Sequence, residues 1–328
     1  LGRRYGLSDL DGEQHIAPVN GTREGLFSMA FVAVPPEKDG RQPAVLMPNP
    51  FYQCYAAAAL SAGADPIYVP ATAETGFLPD YLSLPEDLLA RTALIYLCSP
   101  ANPQGVVADE AYLGALIQAC RAHDITLVVD ECYAEIYTQT PPVGALEVCR
   151  KLAEQDNEAL SADPYRSVIA FHSLSKRSNV PGLRSGFAAG DVSLMAAFRE
   201  LRAYGGAPSP LPVYAAAAAC WSDEAHVEKS RDLYRQKFDT AEQILSGQFG
   251  FFRPDGGFYL WLDVEDGEAA ALRLWKEAGV RVLPGAYLAR MDSEGYNPGA
   301  RYIRVALVDA PEITEEALMR LKSTLERQ

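Results

Sequence analysis

Short apolar, β-rich runs recur along the chain with helix-like stretches between them, and their order predicts most of the architecture. The runs are HIAPVN (His15 to Asn20), AVLMPNP (Ala44 to Pro50), DPIYVPA (Asp65 to Ala71), ALIYLCSP (Ala93 to Pro100), ITLVVDE (Ile125 to Glu131), SVIAFHSL (Ser167 to Leu174) and SGFAAG (Ser185 to Gly190). Several are apolar at successive rather than alternate positions, so both of their faces are expected to be covered. Segments such as TREGLFSMAFVAV and DEAYLGALIQACRAHD carry helical character between them. Continuous apolar strands alternating with helices predict an α/β fold, a mostly parallel seven-stranded sheet sandwiched by helices. In such sheets ligands bind beyond the carboxyl ends of the strands, which is where the polar residues of this chain concentrate.

After Gly190 the pattern changes. Helical segments lead into the Gly/Pro-rich connector YGGAPSPLP (Tyr204 to Pro212), then a long helical stretch over roughly Asp223 to Ser246, then FFRPDGGFYLWLDV, VRVLPGAY and RYIRVALV with helices between and after them. The expected division is a large α/β domain over 1–222 and a smaller α+β domain over 223–328. The polar, mixed segment from Thr138 to Arg166 is expected to be a helix and loop on the surface.

Composition narrows the function. A length of 328 residues favours two domains over one. A formal net charge of −14 argues against a general nucleic-acid or anionic-membrane surface, so an anionic ligand needs a local, built site. Six scattered cysteines without CxxC pairs read as reduced thiols of a cytoplasmic protein, and the four histidines, His15, His123, His172 and His226, have no metal-ligand spacing. No apolar run approaches the length of a membrane span. The opening LGRRYGLSDLDGEQ lacks an initiator Met and reads like the end of a helix, which gives the expectation that an N-terminal segment is missing.

The strand ends carry the chemistry. The first run ends in NGTREGLF, where Gly21 and Thr22 precede a helix whose free N–H groups and dipole suit a phosphate. The second ends in NPFYQCY, with Tyr52 available to lie on a planar ligand, and the fourth in SPANPQG with Asn102. The fifth ends in VVDECY, where Asp130 should be buried and in need of a cationic partner. The sixth brings Ser173, Ser175 and Lys176, and Arg184 follows before the seventh. Singly, each also fits an ordinary turn, a core aromatic, a capping amide, a structural ion pair or a solvated lysine. The chain has neither GxxxxGK[ST] nor GxGxxG after its first strand, which disfavours a P-loop and a Rossmann dinucleotide site. One ligand would use all of these groups: a phosphorylated pyridine aldehyde.

The order NP with an aromatic, SPANPQG, DECY and SLSKRSNVPGLRSGF resembles the class I/II pyridoxal-phosphate aminotransferases of fold type I, over nearly the whole chain. The eight-residue spacing from Lys176 to Arg184 and the Asp130-x-x-Tyr133 unit match that family's pattern. LMPNPFYQCYAAAALSAGADPIYVPA and YLCSPANPQG are similar to bacterial N-succinyldiaminopimelate aminotransferases. The resemblance implies pyridoxal 5'-phosphate as cofactor and a role for each residue. Lys176 would hold it as a Schiff base and shuttle the proton, and Asp130 would keep the pyridine nitrogen protonated. Tyr133 and Asn102 would hydrogen-bond its phenolic oxygen, Tyr52 would stack on one face of the ring, and Cys132 would pack near the other. Gly21, Thr22 and Arg23 through backbone groups, with Ser173 and Arg184, would bind the phosphate. Arg304, with Asn102 beside it, would grip the substrate α-carboxylate; Arg301 is its register alternative. Arg202 and Arg290 are candidates for a distal carboxylate.

The implied activity is ping-pong transfer between glutamate/2-oxoglutarate and an amino acid/oxo acid pair, N-succinyl-L,L-diaminopimelate of lysine biosynthesis being the favoured one, in a homodimer. Aspartate/aromatic transamination and a pyridoxal-phosphate C–S lyase share the same residues. A non-catalytic ligand-binding regulator on the same fold is the reading from another class. The family's N-terminal arm cannot be located in this chain, and His172 should point away from Ser173 by strand alternation.

Overall fold

A computed structural model describes residues 1–155 and 163–327. All seven expected runs form strands: β1 Ile16–Val19, β2 Ala44–Asn49, β3 Asp65–Pro70, β4 Thr92–Cys98, β5 Thr126–Asp130, β6 Val168–Ser173 and β7 Gly186–Gly190. They make one sheet in the order β1-β7-β6-β5-β4-β2-β3. Neighbours from β3 through β6 run parallel, while β7 is antiparallel to both β6 and β1.

Every residue of β2, β4, β5 and β6 is buried, which explains their unbroken apolar runs. Alternate side chains enter two different cores. Ile95, Leu97, Leu127 and Val129 pack on one face with the helix Glu110–Ala122, whereas Leu94, Tyr96, Val128 and Phe171 pack on the other with the helix Thr22–Ala33. Asp109 starts the former helix by accepting a hydrogen bond from the Tyr112 N–H at 2.8 Å.

The expected surface segment from Thr138 to Arg166 is more deeply tied in than its polarity suggested. It forms the helix Ala145–Gln155, and Ala145, Leu146, Val148 and Cys149 join the first core. Its apolar residues recur at helical spacing between charged ones, so one stripe is buried and the rest is wet. Residues 156–162 of that segment lie outside the described residues.

A second, antiparallel sheet of order β8-β10-β9 is built from β8 Tyr259–Asp263, β9 Leu283–Pro284 and β10 Tyr302–Ala306. The helices Ala225–Leu245 and Pro311–Leu325 back it. Its core also takes in Cys98, Tyr133 and Ile136 from the carboxyl ends of β4 and β5, so the two sheets meet where the candidate residues lie.

Candidate active site

One cavity of about 600 Å³ opens at this junction, and Thr22, Tyr52, Asn102, Asp130, Tyr133, Ser173, Lys176, Arg184 and Arg304 all line it. β1 delivers the chain to Gly21, whose φ of 83° suits glycine, and the helix Thr22–Ala33 begins there without a side-chain cap. Its first N–H groups therefore remain available to a ligand. The Arg184 guanidinium lies directly over Gly21: a β-carbon on residue 21 would sit 2.0 Å from Nη2. That guanidinium donates only to main-chain carbonyls, of Pro181 at 2.8 Å and Asn20 at 3.4 Å, and pairs with no carboxylate among the described residues. A cation and a helix N-terminus thus converge on one point of the cavity wall.

Next to them β6 ends at Ser173, whose hydroxyl accepts from the Ser175 N–H at 3.1 Å. The short helix Leu174–Arg177 then turns Lys176 over the cavity. Its Nζ is 4.9 Å from the Phe258 ring centroid and 6.0 Å from that of Tyr133. Burial, helped by Arg304, lowers the pKa of Lys176 from its ordinary value, which raises the share of free amine.

Asp130 ends β5 in the cavity floor. Its carboxylate accepts from the Tyr55 hydroxyl at 3.0 Å and the Cys132 N–H at 3.3 Å. Burial raises its pKa, and the hydrogen bonds from Cys132 and Tyr55 and the charge of Lys176 oppose that. No cation forms a salt bridge with it among the described residues. Tyr55 itself is fully buried and stacks on Tyr96 with centroids 4.5 Å apart. Sequence reading missed Tyr55; its place one helical turn after Tyr52, on the same face, was the available signal.

On the far wall β10 carries Arg304, which donates from Nη1 to Asn102 Oδ1 at 2.9 Å. The Asn102 amide nitrogen donates to no partner among the described residues. Tyr133 lies beside them, its hydroxyl 3.3 Å from that of Tyr259, a residue the sequence did not single out. At the mouth, Arg23 turns its side chain to the Tyr52 hydroxyl, so it offers a guanidinium as well as backbone groups. Cys132 lines the same cavity.

Two expectations need correcting. Arg202 is held by Glu24 at 3.3 Å and the Pro18 carbonyl at 2.8 Å, away from the cavity. Arg290 lies behind Phe51, 5.1 Å over its ring, and does not line the cavity either. Arg301, the register alternative to Arg304, pairs outward with Asp263 at 3.0 Å. His172 does face away from Ser173, against Phe187 and 3.2 Å from Glu131.

An anion cradle at one end, a lone buried carboxylate in the floor, an amine above it and an aromatic lid suit an anionic nitrogen heterocycle bearing an aldehyde, and the arginine across the gap suits a second, carboxylate-bearing molecule. Comparisons with known proteins agree. The family model for aminotransferase class I and II matches residues 2–318. An LL-diaminopimelate aminotransferase of Desulforudis audaxviator is 30% identical, over 99% of this chain and 78% of that protein. An aminotransferase structure from Neisseria meningitidis is 40% identical, with a TM-score of 0.89 over 98% of this chain and 80% of that one. The structure of a probable N-succinyldiaminopimelate aminotransferase from Thermus thermophilus is 25% identical, with a TM-score of 0.83 over 98% and 81% of the two chains. The chain belongs to the class I and II aminotransferases, enzymes of fold type I that use pyridoxal phosphate.

Proposed function

We propose that this transaminase exchanges the amino group of glutamate with a substrate built on the diaminopimelate skeleton, N-succinylated at the distal amine. The observation that carries the reading is a single cavity lined by Lys176, Asp130 and Arg184, with Arg304 across from them. The names of the relatives support the skeleton. Arg23 supports a substrate with a second anionic group, because its guanidinium stands at the mouth and is bonded to a neutral phenol.

In this reading pyridoxal phosphate supplies an electron sink that stabilises negative charge at the substrate α-carbon. Gly21, Thr22, Arg23, Ser173 and Arg184 would bind its phosphate, and Tyr52 would cover its ring. Asp130 would hold a proton on its ring nitrogen, with that nitrogen as the cationic partner the buried carboxylate lacks. Tyr133 and the Asn102 amide would donate to its phenolic oxygen. Lys176 would attach it covalently and, once released, carry the proton to and from the substrate α-carbon; burial of its amine favours the basic form needed. Arg304 would hold the α-carboxylate and fix which α-bond faces Lys176.

A homodimer and a division of the chain at 222/223 belong to the same reading. The break between the helices Leu211–Ser222 and Ala225–Leu245 supports the boundary. The helix Leu211–Ser222 supports the dimer: it is almost wholly apolar yet buries only Ala217, with Leu211 81% exposed and Tyr204, near the end of the preceding helix Val192–Gly205, 92% exposed.

The test is the visible spectrum of protein loaded with pyridoxal phosphate, before and after glutamate, followed by oxo-acid acceptors, with Lys176→Ala alongside. Loss of the band with glutamate and its recovery with the N-succinylated acceptor is the expected result. Recovery only with the unsubstituted diaminopimelate acceptor would favour the activity named for the Desulforudis relative. An unchanged band with glutamate would remove the proposed donor.

A further inference from the structure

We propose that Tyr259 is a positioning residue that joins the carboxylate anchor Arg304 to the phenol of Tyr133; the inference rests on the roles just proposed for those two residues. β8 and β10 pair so that Arg304 stands opposite Trp261 and Ala306 opposite Tyr259. Directly opposed residues share a face of the sheet, which makes Tyr259 the diagonal neighbour of Arg304 on that face. The Arg304 guanidinium lies 4.2 Å over the Tyr259 ring centroid, and the residue directly opposite Tyr259 is the small Ala306. A ring face attracts a cation. Asn102 Oδ1 fixes Nη1 and the Tyr259 ring supports the same guanidinium, which lines the cavity.

The hydroxyl of the same residue lies 3.3 Å from the Tyr133 hydroxyl. If Tyr133 gives its proton to a ligand in the cavity, the proton between the two phenols must come from Tyr259. A phenol that accepts one hydrogen bond donates its own proton more strongly. Tyr259 would therefore strengthen Tyr133 as a donor while its ring supports the Arg304 guanidinium. The charged and titratable groups facing Tyr259 are Arg304 from β10, Tyr133 and Cys132 from the turn after β5, Cys98 from the end of β4 and Tyr234 from the helix Ala225–Leu245. Burial raises the pKa of both phenols, so both are neutral donors at ordinary pH.

Two substitutions separate the two contacts. In the full chain loaded with pyridoxal phosphate, Tyr259→Phe keeps the ring and removes the hydroxyl. The pH midpoint of the visible band should then rise by about half a unit, a ~3-fold change in proton affinity, with KM for glutamate within about 2-fold of wild type. Tyr259→Leu removes the ring as well, and KM for glutamate should rise about 10-fold. A midpoint within about 0.1 unit of wild type in Tyr259→Phe overturns the inference; so does an unchanged KM in a folded Tyr259→Leu. If the leucine variant does not fold, the phenylalanine variant decides alone. A wild type without a visible band sinks the proposed roles and this inference together, whereas a normal wild type with an unmoved Tyr259→Phe sinks only the latter.

Discussion

The Arg184 guanidinium occupies the space in which a side chain at residue 21 would begin, and Gly21 holds a φ of 83° to make that approach possible. Gly21→Ala therefore meets two obstacles, a backbone conformation that costs about 1–3 kcal/mol for a residue with a β-carbon and a clash with Arg184. Affinity for pyridoxal phosphate, followed by absorbance titration, should fall at least ~10-fold, since the cradle must open to fit the methyl group.

Asp130 allows folding and function to be separated. Asn at this position can still accept from the Cys132 N–H through its Oδ1 and turn its amide NH2 to the Tyr55 hydroxyl, which then accepts, while removing a buried charge. Asp130→Asn should leave the thermal midpoint of the cofactor-free chain unchanged or higher and lower kcat by roughly 100-fold or more, the scale of a lost proton-holding group. A large fall in thermal stability with normal turnover would make the carboxylate structural.

The buried pair Glu131 and His172 sets a pH signature. Burial raises the Glu131 carboxyl from 4.5 to about 7 and lowers the His172 imidazole from 6.5 to about 3. Raised in the fold, Glu131 contributes stability that is full below pH 4.5 and lost as pH rises to about 7. Lowered in the fold, His172 contributes stability that is full above pH 6.5 and lost as pH falls toward 3. Between pH 4.5 and 6.5 the two slopes oppose and nearly cancel. In Glu131→Gln only the histidine slope remains, so stability by urea denaturation should climb with pH across that window by up to ~1.4 kcal/mol per unit. Parallel wild-type and mutant profiles would refute the assignment.

Much of this was legible in the chain, for definite reasons. Fully buried strands leave unbroken apolar runs, so β2, β4, β5 and β6 stood out, and polar residues at their ends marked the cavity. What stayed hidden depends on contacts between distant segments. Tyr55 reads as one more apolar residue in an alanine-rich helix until β5 is packed beside it, and Tyr259 reads as core until the β8/β10 register sets it against Arg304. Arg202 and Arg290 misled because a long cationic side chain in sequence carries no sign of the carbonyl or carboxylate that already holds it.

Arg304 should not tolerate its nearest chemical relative. A planar fork can donate to Asn102 and still present two donors to a carboxylate, whereas an ammonium is a point charge without that geometry. Arg304→Lys should raise KM for glutamate by ~10-fold or more and leave the visible spectrum of the loaded protein unaltered. Equal KM values would assign carboxylate binding elsewhere.

The reversed strand β7 has a geometric consequence. A parallel successor to β6 would need a crossover of a dozen or more residues and would begin at the far edge of the sheet. Because β7 runs backward, the chain turns round over residues 174–185 and stays at one edge, so Lys176 and Arg184 are two jaws of a single caliper whose opening is set by the length of that turn. One residue inserted between 177 and 183 would change the gauge of the jaws while every strand pairing stayed in register, whereas the same insertion in an outer loop would leave the gauge as it is.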